Sequence, residues 1–208
     1  LLPVLLMAAR HFAGAARTII VAALVAASGL AAVGSEHETT ALALGAALVA
    51  FAGMRFAPRL MRVLIVAAWA TATLLVVPIA GLAYSSGLHT ASWIPPTGRN
   101  RIILWSVTAK EVAKTPIRGI GPASTKELDE KAGPAAPRPE DHGYALRTGR
   151  HAHNIYMQTW YELGAVGAIL LLLLGLAGLR ALSRLPAHAE PYAMASFVTA
   201  AVIGAFSW

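Results

Sequence analysis

The chain has 208 residues, of which 57% are hydrophobic and only 13% charged, and its mean hydropathy is +0.60. A soluble domain carries about 25% charged residues, so the shortfall makes lipid the solvent for much of the surface and predicts an all-α, polytopic transmembrane protein. The absence of cysteine excludes disulfides and thiolate metal sites. The formal charge of +7 is not a nucleic-acid signature, because the basic residues lie between apolar segments, without a basic helix or an aromatic stacking array.

Crossing ~30 Å of hydrocarbon takes about 20 apolar residues in a helix. Five segments meet or approach that length. The first runs from Phe12 to Val33, and the second, Thr40 to Ala57, is short and rich in Ala. The third, Val63 to Ala83, carries no charge, and Pro78 is a candidate kink near its end. The fourth runs from Ile155 to Leu182, with a purely aliphatic stretch at Leu170 to Leu174. The fifth starts near Pro191 and is still apolar at Trp208. Leu1 in place of Met, and an end inside an apolar run, read as a fragment of a longer protein. The expected organisation is three spans in 1–83, a large loop in 84–152 and two spans in 153–208, the last truncated.

Lys and Arg gather in the short cytoplasmic loops of membrane proteins. Arg10 and Arg17 flank the first span, Arg55, Arg59 and Arg62 lie between the second and third, and Arg180 and Arg184 follow the fourth. The link from Gly34 to Thr39 has two Glu and no Lys or Arg. All agree on one topology, with the first link and the long loop outside the cytoplasm. The loop itself holds 10 of the 17 Lys and Arg residues, but loops beyond about 60 residues translocate largely regardless of charge.

Within that loop, Tyr84 to Gly98 reads as irregular. Asn100 to Lys114 reads as an amphipathic helix, with Ile102, Trp105 and Ala109 on one face. Pro116 ends it, Gly119 and Gly121 form a tight turn, and Ala123 to Arg150, rich in Pro, Gly and charge, is expected to be mobile.

The stretch richest in chemistry lies where the loop re-enters the membrane, from His151 and His153-Asn154 through Glu162 to Gly164 and Gly167. On one continuous helix His153, Trp160, Gly164 and Gly167 share a stripe, and two small residues three apart let a neighbouring helix approach. His153 would then face the outer cavity, where an imidazole suits a general base. A helix cap with an aromatic belt behind it is the competing reading of the same residues. His151 and His153 have a spacing seen in metal sites, yet nothing nearby completes a ligand set, so no metal is expected. Arg99 and Arg101 have the shape to clamp phosphate oxygens, or to contact lipid headgroups. Glu162, an acid within an apolar approach, must be interfacial or paired, and the helical wheel sets it opposite His153. Glu36, His37 and Glu38 read as a solvated turn.

His153-Asn154, nine residues and then Gly164-Ala-Val-Gly167 resembles the His-Asn…Gly-x-x-Gly signature of the O-antigen ligase and O-antigen polymerase family. Arg101-Ile-Ile-Leu-Trp105, followed by Pro116-Ile-Arg-Gly119-Ile-Gly121, is similar to the opening of that family's large periplasmic loop. The resemblance covers Arg99 to Arg180 well and the first three spans in hydropathy alone. It implies a bacterial inner-membrane enzyme that transfers a glycan, without metal or other cofactor, from an undecaprenyl-pyrophosphate carrier. The acceptor would be a lipid A core sugar or a growing polysaccharide. By carry-over, His153 activates the acceptor hydroxyl, and Arg101, with Arg99 and Asn154, binds substrate. Trp105, Gly119, Gly121, Gly164 and Gly167 carry the structural motif. Many members also hold an essential Arg in an earlier periplasmic loop, whereas the link here offers Ser35-Glu36-His37-Glu38. Two other functions compete: a transporter, which fold-level analogy does not separate from the enzyme, and a non-catalytic subunit of polysaccharide assembly.

Overall fold

The computed structural model describes residues 8, 11–33, 38–126 and 151–206. Among these the chain is all helical, without a strand. The helices are α1 (Gly14–Val33), α2 (Glu38–Phe56), α3 (Pro58–Ser85), α4 (Pro96–Val112), α5 (Ile155–Leu182) and α6 (Glu190–Phe206), with a 3-10 turn at Leu88–Thr90. Three stretches are long and apolar enough to cross a bilayer, Thr39–Phe56, Pro58–Ser85 and Ile155–Leu182, and Glu190–Phe206 is a shorter apolar helix. Their outward residues fit lipid as the solvent, with Val49, Leu82, Leu170 and Leu174 exposed. This is a polytopic membrane protein.

The described residues fall into two units. The first comprises residues 1–68 and 176–206. Its centre is the packing of α2 along α6. Ala43, Ala47 and Ala50 form a buried stripe on α2, small enough for close approach, and Met194 and Ala195 are buried on α6. Phe51 meets Tyr192 edge-on, with ring centroids 4.8 Å apart. A single residue, Ala57, links α2 to α3, and Pro58 starts α3, where its missing N–H costs nothing. The tight link folds Met61 against Gly53, which has no side chain to obstruct it. Near the start of α3, Arg62 donates from Nε and Nη2 to the two carboxylate oxygens of Glu190, both at 2.6 Å. Glu190 is buried, so this bidentate pair supplies its charge compensation.

The second unit comprises residues 69–175. Indole N–H groups fasten α3 to α5. Trp69 Nε1 donates to the Leu172 carbonyl at 3.2 Å, and Trp160 Nε1 donates to the Thr73 carbonyl at 2.7 Å. In lipid such donors have no water to turn to, which favours a protein partner. Gly175 leaves the space that Trp69 occupies, and Trp69 also meets Tyr156 edge-on at 5.5 Å. Helix α3 runs unbroken through Pro78 to Ser85, past the end expected at Ala83.

The loop is more ordered than composition suggests. Helix α4 begins at Pro96 rather than Asn100 and ends at Val112 rather than Lys114. Its buried residues are Ile103, Ser106, Thr108, Ala109 and Val112, whereas Ile102 and Trp105 are half-buried. Polar residues share the buried side because Ser106 and Thr108 donate to the carbonyls of Ile103 and Leu104, an arrangement that apolar spacing does not reveal. The 3-10 turn packs on α4, with His89 stacked on Tyr84 at 4.2 Å and Lys110 5.7 Å from the centre of the Tyr84 ring. The expected mobile segment begins with an ordered turn, since 124–126 are helical and Thr125 is buried. Residues 127–150 lie outside the described set, as do 34–37, including Glu36 and His37.

Candidate active site

The continuous helix expected from His153 to Gly167 does not form. Helix α5 starts at Ile155, and it is interrupted at Gly164, whose φ of 62° and ψ of −157° are non-helical. That region is open essentially only to glycine. The interruption leaves backbone groups of α5 without helical partners, and a loop from the α4 side fills them. Ala165 N–H donates to the Pro116 carbonyl at 2.8 Å and Val166 N–H to the Ile117 carbonyl at 3.4 Å. In return, Ile120 N–H donates to the Tyr161 carbonyl at 3.0 Å and Gly121 N–H to the Glu162 carbonyl at 2.9 Å. Chain approaches chain so closely that a Cβ on Gly164 would strike the Ile117 carbonyl, and one on Gly119 would strike the Glu162 carbonyl. Gly119 and Gly121 also have positive φ, 66° and 106°.

Gly164 therefore does not serve helix–helix packing, as its three-residue spacing from Gly167 suggested. It seats a loop in a broken helix. Gly167 makes room for the side chain of Leu163 within α5 itself.

The same loop is held by side chains. The Glu162 carboxylate accepts from Ala123 N–H at 3.1 Å, from the Thr125 hydroxyl at 2.8 Å and from Gln158 Nε2 at 2.8 Å. Glu162 is thus partnered, in keeping with the cost of an acid near lipid. Gln158 lies one turn before Glu162 on α5. Its Nε2 also donates to the Thr125 hydroxyl, and its Oε1 accepts from Ala152 N–H at 2.8 Å. On the opposite side, Trp105 Nε1 donates to the Ala152 carbonyl at 2.8 Å. Ala152 is buried and held at both backbone groups, one from α4 and one from α5.

Ala152 and Asn154 bracket His153. Asn154 is buried, and its Oδ1 accepts from Met157 N–H at 3.0 Å, which makes it the N-cap of α5. That bond commits the side-chain oxygen of Asn154 to the cap. Between the two fixed neighbours His153 takes a positive φ of 50°, uncommon for a side-chain-bearing residue, and part of the residue's surface stays open. The His151 ring lies edge-on to it, with centroids 4.0 Å apart. Among the described residues no group of three His, Cys, Asp or Glu comes together as a metal-ligand set.

Arg101 precedes Trp105 by one helical turn, so both share the face of α4 turned to the 151–154 segment. Its charge is felt at His153. Burial first, then the neighbouring His151, then the Arg101 guanidinium hold the His153 imidazole below its ordinary pKa of 6.5. Arg99 is two residues away, about 200° round the helix, and so is not part of that face; its Nε is buried with no hydrogen-bond partner among the described residues.

Beside the histidines lies a cleft of about 530 Å³, lined by Ala123, Lys126, His151, Ile155, Gln158, Thr159, Glu162 and Leu163. Sequence reading missed Gln158 and Thr125. A signal was present, since Gln158 and Glu162 are polar residues four apart in the first turns of an apolar helix, but their partner lay in a segment expected to be mobile.

No curated protein and no solved structure matches the chain. A family profile described as O-antigen ligase matches residues 22–172, about three quarters of the 208. The match takes in the broken helix, the loop that fills it and the positions of His153 and Arg101, and on that match the chain belongs to the O-antigen ligase family.

Proposed function

We propose that the protein transfers a glycan from an undecaprenyl-pyrophosphate-linked donor to an acceptor hydroxyl at the periplasmic face of the inner membrane. The acceptor is a lipid A core sugar or another glycan. The observation that carries this reading is the clamp on Ala152 beside His153, made by the Trp105 indole one turn after Arg101 on α4, together with the lowering of the imidazole's proton affinity by burial, His151 and the Arg101 guanidinium.

The chemistry needs both properties. An imidazole with depressed pKa is neutral near pH 7 and accepts the proton of the acceptor O–H. The acceptor oxygen then bonds to the anomeric carbon of the donor sugar while the bond from that carbon to the diphosphate oxygen breaks. The diphosphate leaves with the electron pair, and Arg101 stabilises the charge that develops there. Trp105, Gln158 and Asn154 act as positioning residues by fixing the backbone on either side of His153. No metal or other cofactor has a part in these steps.

A transporter would use a broken helix to expose backbone groups to its cargo. Here the groups at the break are bonded to the 116–121 loop, which supports the enzyme reading.

The test is glycan transfer by the complete protein reconstituted with lipid-linked donor. His153→Ala should lower kcat by about 10²–10⁴-fold with the fold intact. Arg101→Ala should also abolish most activity, and Arg101→Lys should restore part of it, because a lysine keeps the charge but not the forked geometry. Full activity in His153→Ala would overturn the reading.

A further inference from the structure

The cleft beside the histidines has no part in the chemistry so far described. Its volume of about 530 Å³ lies within the ~300–1,000 Å³ of small-molecule sites. Its lining is mixed: an ammonium from Lys126, an imidazole from His151, a carboxylate from Glu162, an amide from Gln158, a hydroxyl from Thr159 and aliphatic walls from Ile155 and Leu163. A diphosphate would meet the carboxylate as a like charge. A neutral polyol suits the set better, because its hydroxyls both donate and accept and its C–H faces rest on aliphatic surface.

Most of the polar lining is already occupied. Glu162 accepts three hydrogen bonds, Gln158 uses both ends of its amide, and the Thr159 hydroxyl donates to the Ile155 carbonyl. His151 differs, since its Nδ1 is buried without a hydrogen-bond partner among the described residues. Its ring touches that of His153, so a hydroxyl held at His151 sits one ring's width from the proposed base.

We propose that this cleft is the saccharide subsite for the acceptor, with His151 as the residue that orients the acceptor sugar toward His153 and with Arg101 left to the donor diphosphate. The proposal rests on the transferase reading. It divides the two histidines by task, His153 taking the proton and His151 holding the sugar that gives it.

The test is steady-state kinetics of the complete protein. The lipid-linked glycan serves as donor, and O-antigen-free lipopolysaccharide or a second lipid-linked glycan serves as acceptor. Thr159→Phe fills the cleft without removing any bond to another residue's side chain, and should raise the acceptor KM by about ten-fold or more while the donor KM changes by less than about two-fold. His151→Ala should act in the same direction, and His151→Asn, which keeps a hydrogen-bonding group, should recover part of the loss. Lys126→Ala, exposed and outside the packed interior, guards against misfolding of the other variants and should raise the acceptor KM by about three-fold. An unchanged acceptor KM in all these variants, or an equal rise for donor and acceptor, overturns the subsite. Inactivity of the wild type with both acceptors, or full activity of His153→Ala, counts instead against the transferase reading.

Discussion

At His153, burial, the neighbouring His151 and the Arg101 guanidinium act in the same direction on the ring. A base must be neutral to work, so activity rises as pH rises through the His153 pKa. That pKa is lowered, and the acid limb of kcat/KM should therefore have its midpoint below 6.5. Arg101→Gln removes one positive neighbour, and in its residual activity the midpoint should move to higher pH. A midpoint that stays put would mean that the two groups do not sense each other. Glycines at this scale divide by what surrounds them. Gly164→Ala places a Cβ in a backbone region reserved for glycine, at a cost of about 1–3 kcal/mol, and drives it into the Ile117 carbonyl besides. At Gly178 a Cβ would meet nothing within 4 Å, so Gly178→Ala should be neutral or stabilising by up to about 1 kcal/mol. Thermal unfolding in detergent should separate the two variants clearly.

Among the elements, the decisive one is the seam between the 116–121 loop and the break in α5. It turns a helix into two halves and keeps the backbone bonded, as an apolar surrounding demands. Gln158 then ties that seam to the segment before His153. Gln158→Ala strands the N–H of buried Ala152, a loss of about 1–3 kcal/mol, and frees the backbone preceding the base. The expected result is a kcat lowered about ten-fold or more with KM little changed, since a misplaced base harms the transition state rather than binding. If KM alone rises, Gln158 belongs to binding and not to positioning. In the other unit, Arg62→Ala leaves the buried Glu190 carboxylate without its cation and should lower the unfolding temperature. Glu190→Gln, which removes the charge as well as the acceptor, should be milder.

For the whole molecule, the charge distribution predicts one orientation, and the proposed reaction requires it. A chain without cysteine makes that orientation measurable with single introduced thiols. Asn100→Cys, exposed on α4, should react with a membrane-impermeant maleimide added outside intact inner-membrane spheroplasts, and His188→Cys, between α5 and α6, should react only after lysis. The reverse pattern would place His153 on the cytoplasmic side and remove the periplasmic reaction.

By itself the sequence determined what depends on composition and local pattern. Apolar length made the chain a set of membrane helices, because each backbone group in lipid must bond within its own helix. Motif order set His153 and Arg101 in one proposed site, and Glu162 was readable as an acid in need of partners. Tertiary structure alone decided how these parts are held. Helical spacing treats α5 as continuous, and it has no means of seeing that a loop more than forty residues earlier supplies the hydrogen bonds that let Gly164 break it. Nor does composition show that Thr125, inside a Pro- and Gly-rich stretch, is buried against Glu162 and Gln158. Local energies settle which helices form, whereas the break, the clamp on Ala152 and the cleft beside His151 depend on contacts between distant segments.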